Sequence, residues 1–349
     1  MFKIGKVEFK KNKTVIIAEA GVNHNGQLKF GKRLIDEAKK AGADIIKFQT
    51  YKAKKLTTKN APRFWNWKGE IKKSGTQYDS YSNLDSFDKN EYYQLIKYCK
   101  KKKIEFLSTP FDEESANMLI EIGMKGFKVA SSDITNLPFL EFLAKKKLPI
   151  LLSTGASNIY EIKEAVKVIK RNGNNKILIM HCTLCYPTKP QDANLLAIKD
   201  IKKNFPKNLV GLSDHTLGIE IATASVLYGV SAIEKHFTFN KKLLKSADHW
   251  LSINPKELKK LVENAKNVNL SIGNGKKTPL KCENRARKFA RRSIVANKNI
   301  TTGEILTKSK IDFKRPGTGL SPSLLKKVLG KKAKKKIKFD KLITFRDLK

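Results

Sequence analysis

Eight short apolar runs, each ending on polar residues, constrain the fold of this chain more than any other feature. Helical patterns with apolar residues at i, i+3 and i+4 separate the runs. Alternating strands and helices favour a parallel sheet, and eight repeats favour closure into a TIM (β/α)8 barrel. No G-x-G-x-x-G follows the first run, which weakens the Rossmann alternative. The runs are residues 15–19, 44–49, 104–109, 126–132, 149–154, 176–182, 209–215 and 232–236.

The helical patterns between the runs have glycines at their ends. Gly42, Gly123, Gly173 and Gly229 follow four of these patterns, where C-terminal caps are expected. The clearest patterns are residues 30–41, 91–102, 113–122, 137–144, 159–171 and 218–228.

The repeat ends with a helical pattern near residues 255–272, and a different pattern follows. Residues 273–282 are polar and rich in Gly and Lys, and short strand patterns at 293–296, 311–314 and 341–344 come after them. We predict a barrel over residues 1–272, a linker over 273–288 and a small, mainly β domain over 289–349. A domain of about 60 residues buries little core, so we expect it to pack on the barrel or on a partner chain.

The net charge of +40 raises the question of a polyanionic partner. Only nine of the 72 basic residues are Arg, which usually accompanies Lys in reading bases and clamping phosphates. No helix-turn-helix, zinc-finger or RNP motif accompanies the lysines, which are spread over helical patterns. The sequence therefore favours a lysine-rich surface over a nucleic-acid-binding protein, and the charge suits steering of an anionic substrate.

The four cysteines and the lack of a long apolar run fit a reducing compartment. Cys182 and Cys185 form a C-x-x-C, but no second pair completes a zinc site, so we interpret the pair as incidental. No run of 18 apolar residues predicts a membrane span, and residues 1–13 lack the apolar core of a signal peptide. We expect a cytoplasmic protein.

Two histidines and a glutamate end runs that become neighbours when the barrel closes. His215 and His236 end the seventh and eighth runs, and closure places Glu19, from the first run, beside the eighth. Two His and a carboxylate with open positions suit Mn²⁺, Mg²⁺, Co²⁺ or Zn²⁺, which would polarise a carbonyl. Spacing alone leaves open a second interpretation, in which each imidazole only hydrogen-bonds a substrate.

Two lysines, Lys47 and Lys128, lie singly inside otherwise apolar runs. A lysine that faces the barrel mouth costs desolvation energy unless an anion pairs with it. Hydroxyl residues end the neighbouring runs, and lysines with hydroxyl donors form a cradle for phosphate or carboxylate. These residues are Thr109, Ser131, Ser153 and Ser213. A Schiff-base lysine is the competing interpretation, and two lysines among several hydroxyls favour the cradle.

A long insertion, residues 52–90, interrupts the repeat after the second run. Its aromatic side chains either cover a substrate or pack as a surface loop. They are Phe64, Trp65, Trp67, Tyr78 and Tyr81.

Two residues beyond the runs are further candidates for substrate contacts. Asp248, next to His249, either accepts hydrogen bonds from sugar hydroxyls or is a turn residue. Arg315 lies in a turn rich in Gly and Pro, and its glycines indicate close approach of the backbone to another group.

Motifs at the ends of the runs recur in the order of a known family. They are IAEAGVNHNG at 17–26, KFQT at 47–50, STPF at 108–111, KVAS at 128–131, LSTG at 152–155, HCT at 181–183, YP at 186–187, GLSDH at 211–215 and EKHF at 234–237. Together they resemble the sialic acid synthase family over nearly the whole chain. KRPG at 314–317 is similar to the family's C-terminal antifreeze-like SAF domain.

The resemblance implies condensation of phosphoenolpyruvate with an N-acetylated hexose such as N-acetylmannosamine. The products are a nine-carbon sialic acid and phosphate, which leaves by C–O cleavage. The resemblance implies that His215 and His236 hold a divalent metal, Mn²⁺ ahead of Mg²⁺ or Co²⁺, with Glu19 near the reacting centre. The positions that match the phosphoenolpyruvate cradle are Lys47, Thr109, Lys128, Ser131, Ser153 and Ser213.

The acceptor side is implied in the same way. Gln49, Tyr186 and Asp248 match sugar-side positions. Arg315 matches an arginine that the SAF domain of one protomer places in its partner's site, where it meets the N-acetyl group. The resemblance therefore implies a domain-swapped homodimer.

The chain departs from the family pattern after Thr183, where Leu184 stands in place of the usual Asn or Ser. Leu cannot donate a hydrogen bond to phosphate, so that contact is missing or comes from the backbone. Residues 247–250 also differ from the best-known bacterial members. The acceptor therefore stays open among N-acetylmannosamine and the precursors of legionaminic and pseudaminic acid. Another phosphoenolpyruvate aldol synthase, acting on a sugar phosphate, is the rival enzyme.

Overall fold

The computed structural model describes residues 1–65, 75–246 and 248–349, and the chain forms two compact units. The first unit is Met1–Ile272 and the second is Gly273–Lys349. Trp67, one of the aromatic residues predicted to cover a substrate, lies outside the described residues. Within the described part of the chain, no helix is long and apolar enough to cross a membrane.

A hairpin that the sequence patterns did not reveal precedes the barrel. Strands β1 (Phe2–Ile4) and β2 (Val7–Phe9) pair antiparallel, and the backbone N–H of Lys6 donates to Glu105 Oε2. The side chain of Ile4 is fully buried, and a Cβ on Gly126 would lie 2.9 Å from its Cδ1. Glu105 and Gly126 lie at the starts of barrel strands, so the hairpin covers the N-terminal end of the barrel.

The eight predicted runs form the eight parallel strands of one sheet, which confirms the predicted barrel. The strands are β3 (Val15–Gly21), β4 (Ile45–Thr50), β5 (Glu105–Pro110), β6 (Phe127–Val129), β7 (Ile150–Ser153), β8 (Ile177–Cys182), β9 (Leu209–Asp214) and β10 (Ala232–His236). Their order in the sheet is β5-β4-β3-β10-β9-β8-β7-β6. Strands β5 and β6 lie side by side and close the barrel, but among the described residues they share no hydrogen-bonded ladder.

Helices alternate with the strands, as the sequence patterns predict. They are α1 (Leu28–Ala41), α2 (Ala53–Leu56), α3 (Gln77–Ser82), α4 (Lys89–Lys102), α5 (Glu113–Glu121), α6 (Leu137–Lys145), α7 (Ile159–Arg171), α8 (Ala197–Asn204), α9 (Glu220–Ser225) and α10 (Pro255–Ser271). The four glycines predicted as caps all have positive φ angles. Apolar helix faces pack on the strands, whose side chains are almost all buried, and the core therefore lies between sheet and helices.

The first α-helix of the second unit is α11 (Asn284–Phe289), which overlaps the end of the segment predicted as a linker, 273–288. Strands β11 (Ser293–Ala296) and β12 (Ile311–Lys314) then pair antiparallel, and α12 (Leu325–Val328) follows. The third predicted strand, 341–344, is wrong: among the described residues it forms one isolated bridge, between Val295 and Leu342. This unit has its own apolar core, built around Ile294 and Ile343.

Candidate active site

The C-terminal ends of the barrel strands surround a cavity of about 690 Å³. Parallel strands in a barrel direct their carboxyl ends to one face, which is why residues far apart in the chain meet there. Twelve of the thirteen predicted site residues line this cavity. They are Glu19, Lys47, Gln49, Thr109, Lys128, Ser131, Ser153, Tyr186, Ser213, His215, His236 and Asp248.

Two lysines and two glutamates form the charged floor of the cavity, and all four side chains are buried. Lys47 Nζ lies 2.7 Å from Glu19 Oε2 and donates to Thr109 Oγ1 at 3.0 Å. Glu234 lies between the lysines, 3.8 Å from Lys47 Nζ and 3.6 Å from Lys128 Nζ. The floor thus carries two cations whose carboxylate partners hold them toward the cavity.

Glu234 is a site residue that the sequence interpretation missed. It lies two residues before the end of β10, and its carboxylate accepts a 3.0 Å hydrogen bond from Ser213 Oγ. Successive side chains in a strand point to opposite faces, so Glu234 and His236 share the inner face of the barrel while Lys235 does not. This alternation is the signal that identifies Glu234 in the sequence.

Burial governs the ionisation of the floor. It raises the pKa of Glu19 to about 7, even with Lys47 beside it. Burial also opposes ionisation of Glu234, but Lys128 and Lys47 outweigh it and hold the pKa of this carboxyl below its ordinary value. Burial lowers the pKa of Lys128. Glu19 is therefore the group on the floor that can exchange a proton near neutral pH.

Hydroxyl groups complete the cationic side of the cavity. Ser131 Oγ accepts a 2.9 Å hydrogen bond from the backbone N–H of Gly155. Ser153 Oγ is buried and has no hydrogen-bond partner among the described residues. Because an unpaired buried hydroxyl is costly, Ser153 is suited to donate to a bound anion.

The two histidines lie with their ring centroids 5.4 Å apart, and the ring of Tyr186 contacts both. His215 Nδ1 lies 2.8 Å from the carbonyl oxygen of Thr183, so in the neutral ring Nδ1 carries the proton and Nε2 keeps its lone pair. Burial opposes the charged form of His215, but Cys182 outweighs it and raises the pKa of this ring above its ordinary value. His236 Nδ1 is buried without a hydrogen-bond partner among the described residues, and burial lowers the pKa of His236 well below its ordinary value. Both imidazoles are thus suited to bind a metal ion.

These observations test the fit of the site to a divalent metal. Across residues 1–65, 75–246 and 248–349, no three His, Cys, Asp or Glu side chains are arranged to hold an ion on their own. A backbone carbonyl that fixes the tautomer of one histidine and an unpaired nitrogen on the other are typical surroundings of metal ligands. The two histidines therefore fit a site whose remaining positions are open to substrate or water.

Three polar side chains converge beside the histidines, above Gly21. A Cβ on Gly21 would lie 3.3 Å from Glu19 Oε1, 3.4 Å from Gln49 Nε2 and 3.6 Å from Asp248 Oδ2. Gln49 Nε2 donates to Glu19 Oε1 at 3.1 Å, and Asp248 Oδ2 lies 3.6 Å from His236 Nδ1. Burial raises the pKa of Asp248 to about 6. This is the part of the cavity with the donors and acceptors that bind sugar hydroxyls.

Aromatic residues form the outer wall of the cavity. Phe64, Trp65 and Tyr81 of the insertion line it, together with Tyr51 and Phe111, which the sequence interpretation did not single out. The ring of Tyr51 packs edge-on against Tyr81 and Phe111, with centroids 5.4 and 5.9 Å apart. Part of the insertion therefore reaches the cavity, as expected of a segment that covers a substrate.

The departure at Leu184 lies within the cavity wall. A Cβ on Gly155 would lie 3.0 Å from Leu184 Cβ and 2.8 Å from Ser131 Oγ. An apolar side chain thus stands beside the hydroxyls of the cationic side.

Arg315 belongs to the second unit, on the turn that follows β12. A Cβ on Gly317 would lie 2.7 Å from Arg291 Cβ and 3.2 Å from the carbonyl oxygen of Arg287, while the Gly317 N–H donates to the Lys288 oxygen at 2.9 Å. The close approach predicted for these glycines is therefore made within the same unit, by Gly317 to α11 and Arg291 and by Gly319 to Ser293 and Leu342.

Known proteins share both the sequence and the fold. The NeuB family model matches residues 34–277, and the SAF domain model matches residues 291–349. An N,N'-diacetyllegionaminic acid synthase of Campylobacter jejuni is 42% identical over 95% of this chain and 99% of its own length. Another, from Legionella pneumophila, is 40% identical over 90% of this chain and 89% of its own. The solved N-acetylneuraminic acid synthetase of Leptospira borgpetersenii has a TM-score of 0.72 and 38% identity, covering 81% of this chain and 94% of its own.

Proposed function

We propose that this chain, which belongs to the NeuB family, condenses phosphoenolpyruvate with an N-acetylated hexose to form a nine-carbon 2-keto acid and phosphate. The observation that carries the proposal is one cavity that holds a pair of buried lysines on one side and a pair of buried histidines on the other. The lysine side suits a small, highly charged anion, and the histidine and Asp248 side suits a carbonyl-bearing sugar.

The lysine side would bind phosphoenolpyruvate. Lys47 and Lys128 balance its negative charge, and the buried Ser153 hydroxyl donates to it. Thr109, Ser131 and Ser213 complete the cradle. Glu234 holds the two ammonium groups in place when no substrate is bound. The attraction between a bound anion and the two lysines is strong because the cavity floor is removed from water.

His215 and His236 would hold a divalent metal, Mn²⁺ ahead of Mg²⁺ or Co²⁺, which when bound supplies Lewis-acid polarisation of the acceptor aldehyde. Gln49, Tyr186 and Asp248 orient the sugar so that its aldehyde carbon faces C3 of phosphoenolpyruvate. C3 attacks that carbon, water adds at C2, and the C2–O bond breaks to release phosphate. Burial raises the pKa of Glu19 to about 7, so this carboxyl can take the proton that the water loses or give one to the aldehyde oxygen as that oxygen becomes a hydroxyl.

The names of the relatives narrow the choice of acceptor sugar. The names of two relatives, at 42% and 40% identity, describe products that carry two N-acetyl groups. We therefore place the precursor of N,N'-diacetyllegionaminic acid beside N-acetylmannosamine as the leading candidates, with a pseudaminic acid precursor as the alternative. The SAF match includes Arg315, which supports a homodimer in which Arg315 of one protomer meets the N-acetyl group in its partner's site.

Phosphate release tests the proposal. Purified protein is incubated with phosphoenolpyruvate and each candidate acceptor, with and without Mn²⁺, and free phosphate and the 2-keto acid are measured. We expect release only with an N-acylated hexose. If no N-acylated hexose gives phosphate release, the proposal is refuted. A strong preference for a phosphorylated hexose would identify the rival aldol synthase instead. A His215→Gln variant with full activity would reject the metal assignment.

A further inference from the structure

A buried histidine outside the cavity links the loops that follow the first and last barrel strands. The side chain of His249 is fully buried. Its Nδ1 lies 2.7 Å from Thr238 Oγ1, and its Nε2 lies 2.9 Å from Asn25 Oδ1. Asn25 belongs to the loop after β3, whereas Thr238 and His249 belong to the long loop after β10.

The partners of His249 determine which nitrogen carries its proton. Asn25 Oδ1 also accepts a 3.1 Å hydrogen bond from the backbone N–H of Ser246, which identifies this atom as the amide oxygen. His249 Nε2 must therefore donate to Asn25, and Nδ1 accepts from the hydroxyl of Thr238. Burial lowers the pKa of His249 to about 4, so the ring is neutral and holds both bonds at neutral pH.

The same loop carries Asp248, and hydrogen bonds fix its backbone on both sides. The Asp248 N–H donates to Ser246 Oγ at 3.3 Å. Its carbonyl oxygen accepts from Ser252, from Oγ at 2.6 Å and from the backbone N–H at 3.1 Å. With His249 bonded to both loops, the Asp248 carboxylate has little freedom to leave its place beside His236.

We propose that His249 is a positioning residue that holds Asp248 for the acceptor sugar. The inference rests on the proposed function, because it takes Asp248 as a sugar ligand. Its effect is confined to one side of the cavity, since the lysines of the phosphoenolpyruvate cradle lie on β4 and β6, which do not contribute to this network.

A pair of substitutions at His249 tests the inference. His249→Phe keeps a buried ring but removes the N–H donor, whereas His249→Gln keeps an N–H that can reach Asn25. In His249→Phe we expect the KM of the acceptor to rise about tenfold, because a misplaced ligand loses orientation. We expect the KM of phosphoenolpyruvate to stay within about twofold, and His249→Gln to recover most of the loss.

Thr238→Val and Thr238→Ser provide a second pair, which remains decisive if His249→Phe does not fold. Thr238→Val removes the hydroxyl that donates to Nδ1 and should raise the acceptor KM, while Thr238→Ser should not. His181→Gln is the matched control: His181 is also buried and bonds the Ala193 oxygen at 2.8 Å, away from both loops. Its acceptor KM should remain that of the wild type.

Two readouts do not need turnover. Nitrogen-15 NMR should show His249 as the neutral Nε2–H tautomer, and hydrogen exchange over residues 22–26 should accelerate in His249→Phe. Equal effects of Phe and Gln, or equal changes in the KM of both substrates, would overturn the inference. If the wild type makes no product with any acceptor, the proposed function fails, while an Nδ1–H tautomer or unchanged exchange would still refute the link between the loops.

Discussion

Lys235 offers a direct test of how the loop that carries His215 is held. Its side chain is 1% exposed, and Nζ lies 2.6 Å from Asp214 Oδ2 and contacts the carbonyl oxygen of Thr216. Asp214 and Thr216 flank His215, so one buried ammonium group joins both neighbours of this histidine. Replacing Lys235 with Met keeps most of the volume and removes the charge.

The magnitude follows from what remains around Asp214. Removing one partner of a buried ion pair costs about 3–5 kcal/mol in unfolding free energy, because the other charge stays buried and uncompensated. Asp214 keeps two hydrogen bonds from Thr216, from its N–H and its hydroxyl, each at 3.0 Å. These bonds place the expected loss for Lys235→Met near the lower end, at about 3 kcal/mol.

Urea denaturation of a double-mutant cycle measures this loss. Adding Asp214→Asn to Lys235→Met removes the stranded charge and should recover at least about 1 kcal/mol, a sign of coupling between neighbours. Lys145→Met is the control, since Lys145 pairs with Glu141 on the surface at 2.8 Å and should cost less than about 1 kcal/mol. A loss below about 1 kcal/mol in Lys235→Met, or additive losses in the cycle, would refute the reasoning.

Three further outcomes are expected. Chelation with EDTA should abolish condensation and Mn²⁺ should restore it, but restoration should fail in His236→Gln; chelator-resistant turnover would contradict the metal assignment. Burial raises the pKa of Asp248 to about 6, so its carboxylate forms as the pH rises through that value, and kcat/KM for the acceptor should rise with it. An Asp248→Asn variant should lose this rise, and an unchanged profile would exclude Asp248. Gly317→Ala should destabilise the second unit by about 1–3 kcal/mol, because its Cβ would lie 2.7 Å from Arg291 Cβ, and an unaltered thermal melt would count against that steric argument.

Barrel geometry explains why so much of the cavity was predictable from the sequence. Reading the last residues of each run identifies Thr109, Ser153 and His236 without any knowledge of packing, because closure brings all strand ends to one face. Glu234 was missed because it lies inside its run, and only the alternation of side chains between the two faces of the strand reveals it. Local patterns thus identify the strands. To identify the residues on the inner face, every second residue back from the end of the strand must also be considered.

The remaining misses depend on partners that are distant in the sequence. The hairpin of β1 and β2 is only three residues per strand, and its burial depends on Gly126 and Glu105, more than 90 residues away. Residues 341–344 have the pattern of a strand, but within the described ranges they pair at a single bridge, between Val295 and Leu342. A local sequence pattern does not show whether a neighbouring strand is present to pair with. The proposed role of Arg315 likewise depends on a second protomer, which no local pattern reveals.

The two floor lysines lie on opposite sides of the contact between β5 and β6, where the described residues form no hydrogen-bonded ladder. Lys47 lies on β4, on one side of this contact, and Lys128 lies on β6, on the other. Any ligand bound by both lysines therefore bridges this contact, as the Glu234 carboxylate between them does. A phosphorylated anion bound to both lysines should therefore make the barrel harder to open between β5 and β6, where the described residues form no ladder.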